Sequence, residues 1–218
     1  MKELIINNLS KEIKGKKILV NATLTLHSGN IYGLVGDNGS GKTMLMRAIS
    51  GLIVPTQGTI FYDEKQLGKD FEFPPSIGIL IESPGFLLEY SHMVNLKLLV
   101  SIKGEVDRMT IIKTLQEVGL DPNLKLKVKH FSMGMRQRLG IAQAIMENPD
   151  VLILDEPFNG LDYQGVIEIR ELLLKLKQQG KLIIISSHQP ENIDYLCDEV
   201  FLISKGVVNK RSSSGNQT

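Results

Sequence analysis

The chain has 218 residues, of which 42% are hydrophobic and 22% are charged, as in an ordinary globular protein. Its 25 basic and 24 acidic side chains leave a formal net charge of +1, so we expect no nucleic-acid partner, which would need a basic surface. The single cysteine, Cys197, excludes an internal disulfide and is too few for a structural zinc site. A reduced, cytoplasmic setting fits this count.

No apolar segment has the length of a signal peptide or of a membrane-spanning helix. The longest apolar runs, such as Val151–Leu154 and Leu182–Ile185, are far shorter than the ~20 residues that cross a bilayer. If the protein works at a membrane, we therefore expect another chain to cross it, with this chain peripheral on the cytoplasmic face.

Short segments of alternating polarity open the chain. The patterns at Leu4–Ile6, Lys16–Val20 and Ala22–Leu26 predict three short antiparallel strands joined by polar turns. A more continuously apolar strand, Ile31–Val35, runs into a glycine-rich turn, which a helix at Met44–Ile49 follows. Further strands are predicted at Gly58–Tyr62 and Ile77–Ile81.

Helical patterning dominates the middle of the chain, and strand–helix units close it. The helical segment covers about residues 85–148. The closing strands are predicted at 151–154, 181–186 and 200–203, and the helices at 164–179 and 191–197. This alternation is typical of an α/β sheet with helices on both faces. We therefore predict one domain over residues 1–218, with a core lobe of residues 1–84 and 149–210, the helical insert, and a disordered tail at 211–218.

A phosphate-binding loop is predicted between the Ile31–Val35 strand and the next helix. The pattern G-x-x-x-x-G-K-[ST] is satisfied by Gly36, Asp37, Asn38, Gly39, Ser40, Gly41, Lys42 and Thr43. Glycines let successive backbone N–H groups point at phosphate oxygens, and the helix N-terminus favours the same anion. Lys42 supplies a cation for the β- and γ-phosphates, and the Thr43 hydroxyl is a hard ligand for Mg²⁺. The loop therefore predicts binding of ATP with Mg²⁺.

Two carboxylates, Asp155 and Glu156, follow the predicted strand Val151–Leu154. At the carboxyl edge of a parallel sheet, this pair would lie near the phosphate loop. Asp155 would hold Mg²⁺ through water, and Glu156 would polarise the water that attacks the γ-phosphate. Taken alone, the pair is equally well explained as a solvated acidic turn.

Three further segments accompany these two motifs. Ser132, within Phe-Ser-Met-Gly-Met-Arg-Gln-Arg, lies 23 residues before Asp155, and His188 lies 33 residues after it. Asn159–Asp162 directly follows the acidic pair. In the order and spacing of these parts, the chain resembles the ABC ATPase family over nearly its whole length. The resemblance implies a P-loop NTPase core with a mainly parallel sheet, an N-terminal antiparallel β subdomain and an inserted α-helical subdomain.

The resemblance also implies how the parts work together. Two ATP molecules would be sandwiched in a head-to-tail homodimer, with Ser132 and Gly134 of one subunit facing the phosphate loop of the other. Ser132 can cap the helix that follows it, whose N-terminus then offers N–H groups to the γ-phosphate, and Asp162 would also lie near the nucleotide. His188 would orient Glu156, although a histidine at a strand end is more often structural. The remaining histidines are predicted to lie at the surface, namely His27, His92 and His130.

Two departures from the family pattern indicate which branch of the family the chain resembles. Met133 and Met135 replace a glycine and the glutamine of the usual signature, while Ser132 and Gly134 remain. Glu82 stands where the family usually has glutamine, and its carboxylate would add negative charge near Mg²⁺. The alternative for Glu82 is an ordinary glutamate at a strand end. Together these features resemble the bacitracin and lantibiotic exporter or self-immunity branch.

The position expected to contact adenine is a third departure. The family often stacks adenine on an aromatic residue in the first strands, and the matching position here holds Ile13. Base stacking on an aromatic side chain contributes ~1–3 kcal/mol in nucleic-acid complexes, so its loss should weaken base selectivity. We therefore predict that GTP is hydrolysed at an appreciable fraction of the ATP rate.

The leading functional prediction is a transport ATPase that drives export through a separate transmembrane permease subunit. That subunit would dock over Ser83–Leu99, where Phe86, Leu87, Leu88 and Met93 either form a docking groove or pack inside the helical lobe. The alternative is a soluble ABC ATPase that acts on DNA or ribosomes. Such relatives typically carry long coiled coils or two cassettes in one chain, and this sequence has neither.

Overall fold

The computed structural model describes residues 1–82, 85–103 and 106–211, and these form a mixed α/β fold. The strands are β1 (Glu3–Ile13), β2 (Lys16–His27), β3 (Ile31–Val35), β4 (Gln57–Tyr62), β5 (Lys65–Gln66), β6 (Ile77–Leu80), β7 (Val151–Leu154), β8 (Leu182–Ser186), β9 (Glu199–Ser204) and β10 (Val207–Lys210). The helices are α1 (Lys42–Ile49), α2 (His92–Lys103), α3 (Arg108–Glu117), α4 (Met133–Ile145), α5 (Tyr163–Gln178) and α6 (Pro190–Leu196), with a 3₁₀ turn at Val128–His130.

Six strands form the central sheet in the order β10-β9-β3-β8-β7-β6, and only the β9–β10 pair is antiparallel. Every residue of β7 and β8 is buried, which explains their uninterrupted apolar sequences, because both faces of a parallel sheet are covered. Strand β8 lies between β3 and β7. The loops that follow these three strands therefore open side by side at one edge of the sheet.

The second sheet is antiparallel, in the order β2-β1-β4-β5, and it packs over α1. The residues predicted as two strands, 16–20 and 22–26, form a single strand, β2, so that prediction was wrong. Asn21 has a φ of 46° within this strand, and its Oδ1 accepts a hydrogen bond of 3.0 Å from the hydroxyl of Ser10 in β1. Because the Ser10–Asn21 hydrogen bond joins β1 and β2 at this irregular residue, β2 continues past Asn21.

Helices α2, α3 and α4 lie between β6 and β7 in the chain. Helix α4 approaches β6 so closely that a Cβ atom added at Gly78 would lie 1.9 Å from the carbonyl oxygen of Ala144. Helices α4 and α5 share one apolar core with the central sheet, while α1 is buried in a second core between the two sheets. The predicted α/β fold with its antiparallel N-terminal sheet and helical insertion is confirmed.

His92, at the start of α2, is fully buried, so its predicted surface position was wrong. Its ring lies 5.7 Å from that of Phe131, and neither ring nitrogen has a hydrogen-bond partner among the described residues. Burial lowers the pKa of His92 below its usual value, and Asp121 opposes this shift only in part. The other two histidines outside the motifs, His27 and His130, are exposed as predicted.

This burial predicts a pH dependence of stability. The unfolded chain binds a proton at this histidine once the pH falls below about 6.5, whereas the folded protein binds it less readily, so acidification favours unfolding. Urea unfolding at pH values of about 7.5 and about 5 should show a smaller loss of stability for His92→Leu than for the wild type. His27→Leu, which replaces an exposed histidine, is the control and should keep the wild-type difference. Identical pH dependence in all three proteins would contradict the assignment.

Two further predictions concern membrane-spanning helices and the C-terminal tail. Within residues 1–82, 85–103 and 106–211, no helix has the length and apolar character to cross a membrane. Arg211, the first residue of the predicted tail, donates its N–H to the carbonyl of Val200 and pairs with Asp194 at 2.6 Å. The rest of that tail, residues 212–218, lies outside the described residues.

Candidate nucleotide site

The predicted phosphate loop connects β3, in the middle of the central sheet, to α1. Gly36 has no room for a side chain, because a Cβ atom there would lie 2.1 Å from the carbonyl oxygen of Ile203. Gly39 and Gly41 have φ values of 77° and 119°, in the left-handed region that glycine adopts without strain. Asp37 and Asn38 lie at the exposed tip of the loop.

Lys42 and Ser40 supply the side chains of the loop that suit a phosphate group. The Lys42 side chain is buried, and its Nζ donates to the carbonyl oxygens of Gly36 at 2.6 Å and Asp37 at 3.1 Å. The buried hydroxyl of Ser40 has no hydrogen-bond partner among the described residues. A cation and a free hydroxyl inside a curled backbone suit phosphate oxygens, so the loop fits the predicted ATP phosphates.

Asp155 lies directly beside the phosphate loop. The hydroxyl of Thr43, in the first turn of α1, donates a hydrogen bond of 2.9 Å to Oδ2 of Asp155. The other carboxylate oxygen, Oδ1, accepts from the hydroxyl of Ser186 at 2.5 Å. Asp155, which the sequence predicts near the phosphate loop, is therefore bonded both to the first turn of α1 and to the end of β8.

Glu156 and His188 face each other beside this pair. The backbone N–H of His188 donates to Oε2 of Glu156 at 3.2 Å, and its Nε2 lies 3.3 Å from Oε1 without hydrogen-bond geometry. Oε1 is buried and has no hydrogen-bond partner among the described residues, whereas the imidazole is half exposed. A mostly buried carboxylate with one unpaired oxygen can accept a proton from a water molecule that lies within hydrogen-bond distance of it.

The contacts of two residues in this site, Ser186 and Gln137, were not predicted from the sequence. Ser186 bonds to Asp155 and to the backbone N–H of Glu156, and Gln137 donates through Nε2 to the carbonyl oxygen of Glu156 at 2.9 Å. A signal for Ser186 was present, because it is a polar residue at the carboxyl end of an apolar strand, like Asp155 itself. Gln137 gave no such signal, since glutamine on a helix surface is common.

Helix α4 begins at the predicted signature. Ser132 caps it, with its hydroxyl accepting from the N–H of Met135 at 3.1 Å, as its sequence predicts. Gly134 lies against Gly160, and a Cβ atom at Gly134 would be 2.6 Å from the Gly160 carbonyl oxygen. Ser132 is exposed, so the N-terminus of the helix is accessible from outside the chain.

Three further predicted site residues lie on other elements: Asp162 at the start of α5, Ile13 at the end of β1 and Glu82 after β6. Asp162 is the N-cap of α5 and accepts from the N–H of Gly165 at 2.9 Å. Ile13 lies at the exposed end of β1. Glu82 has a φ of 60°, and its carboxylate pairs with the guanidinium of Arg47 in α1 at 2.8 Å.

A cavity of about 350 Å³ connects Glu82 with the acidic pair. Its lining residues are Glu82, Phe86, Met133, Arg136, Gln137, Asp155, Glu156 and Asn159. The first turn of α4 therefore opens onto the same space as Asp155, the predicted metal ligand, and Glu156, the predicted base.

The residues present fit a magnesium ion that is shared with a nucleotide. Thr43 and Asp155 supply hard oxygen ligands 2.9 Å apart, and Mg²⁺ in nucleotide sites takes few protein ligands because phosphates and waters complete its shell. Among the described residues, no group of three or more His, Cys, Asp or Glu side chains could hold a metal ion by itself.

Comparisons with known proteins agree with this geometry. The sequence profile of the ABC transporter family matches residues 19–159. The chain is 48% identical to the uncharacterized ABC transporter ATP-binding protein YybJ of Bacillus subtilis (strain 168), over 91% of each chain. It is 38% identical to the lantibiotic transport ATP-binding protein SrtF of Streptococcus pyogenes, covering 93% of this chain and 87% of SrtF.

A third relative and a solved structure extend the comparison. The chain is 38% identical to the bacitracin transport ATP-binding protein BcrA of Enterococcus faecalis, covering 91% of this chain and 65% of BcrA. Its fold matches that of the dimeric ATP-binding cassette MJ0796 bound to ADP and Pi, with a TM-score of 0.86 at 21% identity over 95% of this chain and 97% of that one. The chain thus belongs to the ABC transporter family, as an ATP-binding subunit whose activity is ATP hydrolysis coupled to transport.

Proposed function

We propose that this chain powers the export of a peptide antibiotic, of the bacitracin or lantibiotic class, through a separate membrane subunit. The observation that supports the motor is the hydrogen bond of Thr43 to Asp155, next to Glu156, whose carboxylate accepts from the backbone N–H of His188. The cargo class is supported by the similarity to SrtF and BcrA, which are named as lantibiotic and bacitracin transport proteins. None of the relatives described above is named for an action on DNA or ribosomes.

In this proposal, each site residue has one task. Lys42 and the N–H groups of the phosphate loop hold the β- and γ-phosphates, and Thr43 and Asp155 hold Mg²⁺. The ion, when bound, neutralises negative charge on the phosphates. Glu156 accepts the proton of the attacking water, and His188 keeps the Glu156 side chain turned towards that water.

The proposal includes an ATP-dependent homodimer. One chain carries one phosphate loop and one signature helix, so a sandwich of the predicted kind takes two copies. The exposed Ser132 and the accessible N-terminus of α4 would meet the γ-phosphate bound to the partner subunit. Asp162 fixes the start of α5 beside Gly160, the residue that contacts Gly134, and so would hold this face in shape.

The membrane subunit would dock beside Glu82. The four apolar residues considered for this surface behave differently: Leu87 and Leu88 are about half exposed, while Phe86 and Met93 pack against the core. Ser83, at the start of the predicted docking segment, lies outside the described residues. We propose that Leu87 and Leu88 form the apolar contact and that the Arg47–Glu82 ion pair lies at its edge.

The export proposal is tested by antibiotic susceptibility in the cell that carries this chain. Deleting the chain should lower the concentration of bacitracin or of a lantibiotic that inhibits growth, and expressing the wild type should restore resistance. Expressing Leu87→Glu/Leu88→Glu should fail to restore it although the purified variant still hydrolyses ATP, because the exposed leucines serve the membrane contact alone. Unchanged susceptibility to both antibiotics after deletion would contradict the proposed cargo.

Base selectivity gives an independent prediction. Because Ile13 cannot stack on a base as an aromatic ring does, we expect GTP turnover within about tenfold of ATP turnover, and Ile13→Tyr should lower the KM for both nucleotides by about fivefold or more. Ile102→Tyr, which places the same ring on the exposed surface of α2, is the control. A strong preference of the wild type for ATP, or an unchanged KM in Ile13→Tyr, would contradict the assignment of Ile13.

A further inference from the structure

Ser186 occupies a central position that the proposed mechanism leaves without a role. It is the last residue of β8, and it is fully buried. Strand β8 lies between β3, which leads into the phosphate loop, and β7, which ends at Asp155. The side chain of Ser186 therefore lies where the elements that carry the proposed nucleotide ligands and the proposed base come together.

The directions of its two hydrogen bonds are fixed by chemistry. The backbone N–H of Glu156 can only donate, so the Ser186 oxygen accepts that bond at 2.9 Å. The single hydroxyl proton of Ser186 is then given to Oδ1 of Asp155 at 2.5 Å, a short bond to a charged acceptor. Since Thr43 bonds to the other oxygen of the same carboxylate, Asp155 is held from both sides.

The bond to Glu156 constrains a strained part of the backbone. Glu156 has a φ of 50°, a left-handed conformation that costs energy for a residue with a side chain. Ser186 accepts its N–H on one side, and Gln137 donates to its carbonyl oxygen on the other. This conformation turns the Glu156 carboxylate towards His188. Without the Ser186 hydroxyl, the Glu156 backbone could therefore relax, and its carboxylate would no longer be held in that direction.

We propose that Ser186 is a positioning residue for ATP hydrolysis, whose hydroxyl holds the Asp155 carboxylate and the Glu156 backbone in one fixed relation. The inference rests on the proposed roles of these two acidic residues. It adds that their alignment is set by β8, whereas both of these residues follow β7 in the chain. Ser186 acts through these neighbours and does not itself touch the nucleotide.

Ser186→Ala tests the proposal by steady-state ATP hydrolysis of the purified chain. Loss of a residue that orients metal and catalytic ligands typically costs about 10–100-fold in activity, and we expect a fall in kcat of that size. The KM for ATP should change by less than about threefold, because the contacts of the phosphate loop remain. The Mg²⁺ concentration that gives half-maximal turnover should rise, since Asp155 loses the bond that orients it.

Two further variants separate positioning from folding. Ser186→Thr keeps the hydroxyl and suits a strand, so it should recover turnover to within about threefold of the wild type. Ser50→Ala removes another buried hydroxyl, which donates to the Arg47 carbonyl at the end of α1, and should leave kcat unchanged. Thermal unfolding of each variant shows whether a lost activity is a lost fold.

Three results would overturn the proposal. These are wild-type kcat in Ser186→Ala, a loss confined to the KM for ATP, or a folded Ser186→Thr that is as inactive as the alanine variant. If Ser186→Thr does not fold, the Mg²⁺ dependence of Ser186→Ala takes its place as the test. A half-maximal Mg²⁺ concentration equal to that of the wild type would then overturn the proposal. A fully active Glu156→Gln would instead refute the underlying proposed function, whereas an inactive Glu156→Gln beside a fully active Ser186→Ala refutes only this inference.

Discussion

Glu156→Gln is expected to lower ATP turnover by at least about 100-fold while leaving ATP binding intact. The amide matches the carboxylate in size and keeps an oxygen that can accept from the backbone N–H of His188, but it cannot take a proton from water. The residues that would hold the phosphates and Mg²⁺, Lys42, Thr43 and Asp155, are unchanged. ATP should therefore bind and remain, so the variant should accumulate as an ATP-bound dimer.

The measurement combines Mg²⁺-dependent phosphate release with size-exclusion chromatography in the presence and absence of ATP. The control is Glu171→Gln, a chemically identical change at an exposed position on α5, which should keep wild-type turnover. Normal hydrolysis by Glu156→Gln would remove the proposed base. If neither the variant nor the wild type dimerised with ATP, the sandwich mechanism would fall, and a regulatory role of nucleotide binding would replace it.

Gly78→Ala should reduce the free energy of unfolding by about 3 kcal/mol or more, although it adds a single methyl group. The added carbon would lie 1.9 Å from the carbonyl oxygen of Ala144, a backbone atom that cannot move aside as a flexible side chain can. Strand β6 and helix α4 would have to separate to admit it. The contact that is lost holds α4, the helix that Ser132 caps, against the sheet.

Urea unfolding followed by circular dichroism gives the size of this loss. Gly85→Ala is the matched control, because its added carbon would meet no atom within 4 Å, and its stability should stay within about 0.5 kcal/mol of the wild type. Equal stabilities of the two variants would contradict the close packing of β6 on α4. An insoluble Gly78→Ala beside a soluble Gly85→Ala would agree with it.

The site motifs could be predicted from the sequence because each depends on local rules. Glycines before Lys42 predict a curled loop, and carboxylates after an apolar strand predict a position at the carboxyl edge of the sheet. The fold class followed from the same alternation of strands and helices. These features depend on which residues are neighbours in the chain, and that is what a sequence displays.

The features that were missed depend on contacts between distant segments. His92 was predicted at the surface because it belongs to no motif, but it starts a helix and is buried against the ring of Phe131. The ion pair of Arg47 with Glu82 joins α1 to the end of β6, and no local pattern indicates it. Asn21 was interpreted as a turn, whereas a hydrogen bond from Ser10 on the next strand keeps β2 continuous. In each case the position of the residue depends on a contact with a segment that is distant in the sequence.

The two attachments of α4 limit the ways in which this helix can move. The helix is attached near its start, where Gln137 bonds to the Glu156 carbonyl, and near its end, where Ala144 lies against Gly78. Sliding along its axis would break both attachments together, whereas pivoting about the Gly78 contact would strain only the first. A force that reached α4 through the proposed membrane contact would therefore turn the helix about its contact with β6, and the end that bonds to Glu156 would move most.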